Sequence, residues 1–102
     1  MNFNQLLKQA QQMQKKVNKT KKEFAEKTFD FEGQQGMITG KVNGNLELVE
    51  LHIKEDVLSV ENKEMLEDML VVSINDILRK VDQEREDTLN KVTNGVDVSA
   101  FL

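Results

Sequence analysis

The chain has 102 residues, a formal net charge of −4, one histidine and no cysteine. This length suits a single domain with a small core, and the lack of cysteine excludes disulfides, thiolate chemistry and cysteine-ligated metal. With His52 as the only imidazole, no usual zinc ligand set remains, so neither a metal nor a cofactor is expected.

The apolar runs are short. The longest, Met69–Val72, falls far below the roughly 20 residues that span a bilayer, and the N-terminal residues lack the features of a signal peptide. We therefore predict a soluble cytoplasmic protein with no membrane partner.

Charge is distributed very unevenly along the chain. Residues 1–27 contain seven lysines and two acids, a net of +5, whereas residues 28–102 carry −9. A cationic segment on an anionic body can approach a polyanion only with that segment. The charge pattern therefore directs attention to the first element.

The first predicted element is a helix over residues 3–26. Its apolar and small residues recur at alternating spacings of three and four, the heptad pattern of a helix packed against another helix. These a/d residues are Phe3, Leu6, Ala10, Met13, Val17, Thr20 and Phe24. No glycine or proline interrupts the segment, which favours one continuous helix.

Three strands are predicted next, over residues 28–33, 37–42 and 45–54. Period-two alternation indicates them, and Asn43-Gly44 is a strong hairpin signal between the second and third. The alternation slips near Val49, which predicts a β-bulge or a switch of the buried face. Gly40, inside the second strand, predicts a weak point or another bulge.

A second long helix is predicted over residues 62–93, with Ser59 or Asn62 as its cap, an end near Asn94-Gly95 and a short tail over 96–102. The order α-β-β-β-α predicts an α+β fold of one domain over residues 1–102, with two long helices and an antiparallel three-stranded sheet. An apolar content of 38% is low for a compact monomer, so dimerisation is expected to complete the core.

Four lysines lie on the side of the first helix opposite the a/d seam. With Phe3 at position a, three of them occupy f and one occupies c, and they form a stripe about 21 Å long. The members of this lysine stripe are Lys8, Lys15, Lys19 and Lys22. No acid occurs at b, c or f before Glu26, whereas ordinary solvent faces mix charges. This favours a surface for a polyanion; the alternative is a solvated face that only confers solubility.

Features of an enzyme are missing from the pattern. His52 alternates with charged residues on a strand, the adjacent acid pairs have no partner nucleophile, and Gly33–Gly36 lacks the lysine of a phosphate-binding loop. All five aromatic residues are phenylalanines in apolar patterns, which disfavours base stacking and a dedicated single-strand binder. We predict a protein that is not an enzyme.

Several short segments together resemble the YbaB/EbfC family of bacterial nucleoid-associated proteins. They are Leu7–Lys15, Gly36–Ile38, Val42–Gly44, Lys63–Asp68 and Asn75-Asp76. The resemblance implies an α-β-β-β-α protomer, a homodimer joined through its sheets and helices, and projecting helical arms. It also implies binding of double-stranded DNA with little or modest sequence preference, and a place on the nucleoid.

By position, the resemblance assigns DNA contacts to both helices. The residues are Lys8, Lys15, Lys19 and Lys22 of the first helix and Arg79, Lys80 and Arg85 of the second. The chain departs from the family at Gly40, in a glycine loop reduced to Gly33 and Gly36, and in its tail over residues 96–102. The last two departures bear on loop or tail contacts and leave the fold intact.

We therefore predict a homodimeric DNA-binding protein of the nucleoid. Its expected roles are chromosome organisation, gene regulation or DNA repair, with a repair or recombination protein as a further partner. The alternative is a helical adaptor or chaperone-like module that grips another polypeptide through its a/d seam and does not bind DNA. The acidic charge of the whole chain favours this alternative.

Overall fold

The computed structural model describes residues 2–93. Two long helices, α1 (Phe3–Ala25) and α2 (Lys63–Val92), flank a sheet of three strands: β1 (Thr28–Glu32), β2 (Ile38–Asn43) and β3 (Leu48–Ile53). The predicted order and the antiparallel sheet are confirmed. The expected tail over 96–102 and the helix end at Asn94-Gly95 lie outside the described residues.

Helix α1 begins with a reciprocal cap. The side chain of Asn2 accepts a hydrogen bond from the Gln5 backbone N–H at 2.9 Å, and the Asn2 N–H donates to the Gln5 side chain at 3.3 Å. This arrangement satisfies two polar groups that every helix start leaves open. The helix ends at Ala25, and the Lys27 N–H donates to the Phe24 carbonyl, which starts the turn into β1.

The sheet has the strand order β1-β2-β3, with both neighbouring pairs antiparallel. Lys41 pairs with Glu50 whereas Val42 pairs with Leu48, so Val49 is the extra residue of a β-bulge. The bulge predicted near Val49 is confirmed.

Gly40 does not form a second bulge, contrary to one of the two expectations for it. It continues the regular register opposite Phe31, and a Cβ on Gly40 would lie 2.7 Å from the Phe31 ring. The missing side chain gives the ring space to lie across the strand, in the way that aromatic residues cover strand glycines.

The prediction that β3 begins at residue 45 is wrong, since the strand begins at Leu48. The Asn43 side chain accepts hydrogen bonds from the backbone N–H groups of Asn45 and Glu47, which makes a longer loop than a two-residue hairpin turn. Asn43 and Asn45 also donate to the Glu47 carboxylate, and these bonds lower the pKa of Glu47 from its ordinary value.

The link between β3 and α2 contains two short 3₁₀ turns, Glu55–Val57 and Val60–Asn62. Of the two predicted caps, Ser59 caps the second 3₁₀ turn by accepting from the Asn62 N–H. Asn62 precedes α2 but donates its side-chain amide to the Val57 carbonyl, so it anchors the link. Neither side chain therefore makes a capping hydrogen bond to α2 itself.

The core lies where α1, the sheet and α2 meet. Its centre is Phe24, Val42 and Val81, one residue from each of these layers. Half-buried apolar side chains surround them: Phe29, Phe31, Leu46, Ile77 and Leu78. Few side chains are fully buried, as expected for a small chain of low apolar content.

The protein is a rod measuring 70 × 18 × 17 Å. Its radius of gyration is 19.5 Å, whereas a compact domain of this length has about 13 Å. Neither helix within residues 2–93 is both long and apolar enough to cross a membrane. The elongated shape separates the start of α1 from the sheet.

Candidate nucleic-acid interface

Helix α1 extends beyond the end of α2. The helices are antiparallel: Lys27 pairs with Glu84 at 3.8 Å, and Lys21 and Ala25 share a cavity with Arg85 and Leu89. If this side-by-side alignment of the two helices is extended by one helical turn beyond Lys21 and Leu89, Val92 at the end of α2 lies level with residue 17. Residues 3–16 therefore project as an arm, and this segment is called the arm below.

The first two turns of α1 leave their apolar side chains uncovered. Phe3, Leu6 and Leu7 are 76, 52 and 47% exposed. Val17 and Phe24, further along the same seam, are buried. The heptad pattern thus packs within the chain only over its second half.

The lysine stripe is exposed along its whole length. Among residues 2–93, Lys8, Lys15 and Lys22 form no ion pair, whereas Lys19 lies 3.8 Å from Glu23 one turn away. Both of these side chains are largely exposed, so the pair is weak and does not remove Lys19 from contact with solvent ions.

No acid precedes Glu23 in the sequence, so the arm carries positive charge only. Lysine is a compact point charge on a flexible stem, and it can follow a phosphate backbone without fixed geometry. The distance from Lys8 to Lys22 is about 21 Å along the helix, and each strand of duplex DNA has a phosphate about every 3.4 Å. The stripe therefore matches several consecutive phosphates.

The predicted cations of α2 are in a different situation. Arg79 is bonded to Asp76 at 2.5 Å and Arg85 to Asp82 at 2.7 Å, each within its own helix. Lys80 shares a cavity with Asp30, Glu32 and Asp76. Their positive charge is largely offset by neighbouring carboxylates, unlike that of Lys8, Lys15 and Lys22.

Position also separates the α2 residues from the stripe. Arg85 lies beside the C-terminal end of α1, in a cavity of about 500 Å³ that is also lined by Lys21. Arg79 precedes Arg85 by six residues, about 9 Å further from the arm. The structure therefore brings Arg85 towards the α1 cations and leaves Arg79 and Lys80 beside the sheet.

Lys21 is a basic residue that the sequence argument left out of the site. It occupies heptad position e, beside the seam, where the heptad pattern predicts partial cover by the neighbouring helix. The structure leaves it exposed next to Arg85, although α2 runs alongside it. The sequence pattern does not report this exposure.

Lys27 makes contacts that stabilise the fold. Its ammonium lies 5.4 Å from the Phe24 ring centre and 5.6 Å from that of Phe29, within cation–π range, and 3.8 Å from Glu84. It ties α1, β1 and α2 together, so we do not count it with the lysine stripe.

His52 is exposed and lies 3.6 Å from Glu50 on the outer sheet face. Within residues 2–93, no group of three or more histidine, aspartate or glutamate side chains is placed to hold a metal ion. The arrangement is chemically suited to electrostatic contact along the arm.

Comparison with known proteins agrees with this geometry. Residues 1–96 match the model of the YbaB/EbfC DNA-binding family. A nucleoid-associated protein of Clostridium novyi is 36% identical over 102 residues, covering 100% of this chain and 90% of that protein. One of Oceanobacillus iheyensis is 35% identical, covering 99% and 97%.

A solved structure shares the fold. The crystal structure of an uncharacterized protein from Helicobacter pylori superposes with a TM-score of 0.73 at 26% identity. The superposition covers 85% of this chain and 91% of that chain.

Proposed function

Because the chain belongs to the YbaB/EbfC DNA-binding family, as its sequence segments predicted, we propose that it binds duplex DNA in the bacterial nucleoid as a homodimer. The arms make the contact, and their lysines neutralise backbone phosphates. The relatives named above are nucleoid-associated proteins, which supports this location in the cytoplasm.

The observation that carries the proposal is the row of unpaired cations on one side of α1. Lys8, Lys15 and Lys22 are exposed and form no ion pair within residues 2–93, and Lys8 and Lys15 lie on the arm that projects away from the acidic body. Each phosphate that they neutralise releases a counterion, which is the main source of sequence-independent affinity for DNA. Lys19 and Arg85 supplement them, while Arg79 and Lys80 contribute least.

Low sequence specificity follows from the same residues. Lysine contacts to phosphates position a protein on the duplex but do not read bases. The arm has glutamines and asparagines beside its lysines, which suit further hydrogen bonds to phosphate or sugar. We propose chromosome organisation as the primary role, with gene regulation or DNA repair through a repair or recombination protein as further roles.

The proposed dimer involves β3. Helix α2 packs over β1 and β2, and leaves Leu48, Val49 and Leu51 of β3 exposed at a sheet edge. An exposed apolar edge strand is a liability unless another chain covers it. A second copy of this strand supplies the matching apolar surface and also doubles the number of arms.

A protein-binding adaptor is the second candidate. The uncovered side chains of Phe3, Leu6 and Leu7 favour it, since an apolar seam can receive a partner helix. Capture of a stoichiometric protein partner, together with no shift of duplex DNA at low salt, would replace the DNA-binding proposal with this one.

The test is the triple variant K8E/K15E/K22E in a mobility-shift titration with a short duplex. Glutamate and lysine have similar helix propensities, and all three positions are exposed, so thermal stability should stay close to that of the unchanged protein. We expect DNA binding to fall by at least about a hundredfold at low salt, since three cations become three anions on α1 of each protomer.

A matched control separates position from charge. K54E/K63E has the same charge change as the double variant K8E/K15E but alters residues beside the sheet and at the start of α2. It should weaken binding far less than K8E/K15E. Equal loss in both doubles, or a triple variant that shifts DNA like the unchanged protein, would show that the stripe is not the site.

A further inference from the structure

A second concave surface lies on the body, on the first half of α2. The short loop at residues 33–36 approaches this helix so closely that a Cβ on Gly33 would meet the Ser73 hydroxyl at 3.0 Å. The two elements enclose a groove of about 310 Å³. This surface, called the acidic groove below, is bordered by Glu32, Asp68 and Asp76 and has Met69 and Val72 among its lining residues.

The acidic groove combines apolar surface with negative charge that Arg79 and Lys80 offset only in part. Val72 is 59% exposed, although it is apolar and lies beside the half-buried Met69. Three carboxylates line the groove and no lysine or arginine does. Arg79 offsets Asp76, but among residues 2–93 neither Glu32 nor Asp68 belongs to an ion pair. An occupant of matching chemistry is therefore cationic and apolar.

The tip of the arm has this chemistry. Leu6 and Leu7 are exposed there, and Leu7 shares a shallow surface with Lys8. Residues 2–16 contain three lysines and no acid. Apolar contact in the groove and charge contact at its border are thus available from a single short segment of helix.

The arm cannot reach the acidic groove of its own chain. The groove lies about 30 Å from the end of α2, and the arm continues for about 20 Å in the same direction away from it. The 70 Å length of the molecule agrees with this separation. A contact between tip and groove requires another copy.

We propose that the acidic groove is a docking site for the arm tip of another copy of this chain, which links molecules arm to groove when DNA is absent. The groove lies at the other end of the molecule from the lysine stripe, so the contact is additional to the DNA interface. Duplex DNA competes with it because both engage the lysines of the arm.

The experiment uses the full-length protein and a fluorescent peptide with the sequence of residues 2–16. Fluorescence anisotropy at low salt should show saturable binding. D68K reverses a border charge and should weaken binding about tenfold, and V72Q should weaken it several-fold by removing apolar surface while keeping a good helix former. Peptide binding is measured without DNA, so this experiment can fail or succeed independently of the test of the proposed function.

Two matched controls make the outcome specific. D87K has the same charge change as D68K but lies about 28 Å further along α2, and should leave peptide binding unchanged. A peptide with L6S and L7S keeps every charge and should bind at least about fivefold more weakly.

Three results of the peptide titrations would overturn the docking site. They are no saturable binding, equal weakening by D68K and D87K, and equal binding of the two peptides. The last two would reduce the contact to non-specific charge attraction. Sedimentation velocity provides a further check: if V72Q splits the protein into monomers, the groove belongs to the subunit interface and the proposal is wrong.

Discussion

Gly44 is held against the end of α1 by contacts that no other residue type allows. A Cβ at this position would lie 1.8 Å from the Phe24 carbonyl oxygen, and the Gly44 N–H donates to the Lys27 carbonyl at 2.9 Å. The turn between β2 and β3 is therefore joined directly to the helix that carries the arm. Phe24 is also a core residue, so the contact links the arm to the core.

We expect G44A to destabilise the protein by about 2–4 kcal/mol, because the clash is with backbone and cannot be relieved by a side-chain rotation. Urea unfolding followed by circular dichroism measures the change in the free energy of unfolding.

G33A is the control for a milder clash, since its Cβ would lie 3.0 Å from the Ser73 hydroxyl, which can rotate away, and 3.2 Å from the Ile38 Cβ, which needs a shift of only a few tenths of an ångström. We expect a loss of about 1 kcal/mol or less there. Similar losses for the two variants would mean that Gly44 has no special role in joining the turn to α1.

Strand β3 belongs to the sheet of one chain and also forms the proposed dimer interface. Leu51 pairs with Gly40 and therefore points to the same sheet face as Phe31, yet it remains exposed because α2 covers the other two strands. The bulge at Val49 brings a further apolar side chain to the exposed surface of this strand.

We expect L51K to dissociate the proposed dimer, with at least a tenfold increase in the dimer dissociation constant. Full burial of a leucine side chain contributes about 1.5–3 kcal/mol, and the dimer gains the share that belongs to the surface exposed in one chain. Because the interface is two-fold, L51K removes this share twice and also places two ammonium groups in the interface. Sedimentation equilibrium measures the constant. Because Leu51 is exposed within one chain, the helical circular dichroism signal should persist.

V60K is the matched control for this interface. Val60 is an exposed valine in the link before α2, outside β3. Its substitution should leave the dissociation constant unchanged. A protein that is monomeric at all concentrations without any substitution would remove the dimer from the proposed function.

The sequence predicts most of this fold at the level of elements. The heptad spacing of α1 and the slip in alternation at Val49 are local signals, and α1 and the bulge follow from them. The start of β3 differs from the prediction for two reasons: the Asn43 side chain accepts hydrogen bonds within the turn, from Asn45 and Glu47, and Gly44 packs on Phe24, which is distant in sequence. The alternation of apolar residues reports neither contact.

The candidate site divides in the same way. The side on which Lys8, Lys15 and Lys22 lie follows from helical geometry and was predictable. The partners of Arg79 and Arg85 stand three residues earlier in the sequence, but only the structure shows that they are bonded. The length of the free arm depends on where α2 ends relative to α1, so it could not be inferred from periodicity.

The whole molecule separates its charges along a 70 Å axis. The arm is purely cationic over residues 2–16, and the remainder of the chain carries the excess of acids. Under the proposed function, one end attracts DNA and the other repels it, which orients the protein and restricts the contact to the cationic end. The net charge of −4 thus describes neither end.

The salt dependence of DNA binding tests this separation of charge. Each neutralised phosphate contributes about −0.9 to the slope of log K against log salt, so three lysines on each of two arms give a slope of about −5. We expect that value for the unchanged protein between about 50 and 200 mM salt, and an affinity that changes little when the duplex sequence is scrambled.

Each single substitution of a stripe lysine should then change the slope of log K against log salt by the same amount. K8Q, K15Q and K22Q should each reduce the magnitude of the slope by about 1.8 in the dimer, whereas R79Q should leave it nearly unchanged because Asp76 already pairs with Arg79. Anisotropy titrations at several salt concentrations measure these slopes. If R79Q and K15Q reduce the slope equally, the body contacts DNA as closely as the arm does, and the repulsion expected from its acids does not govern how the protein approaches the duplex.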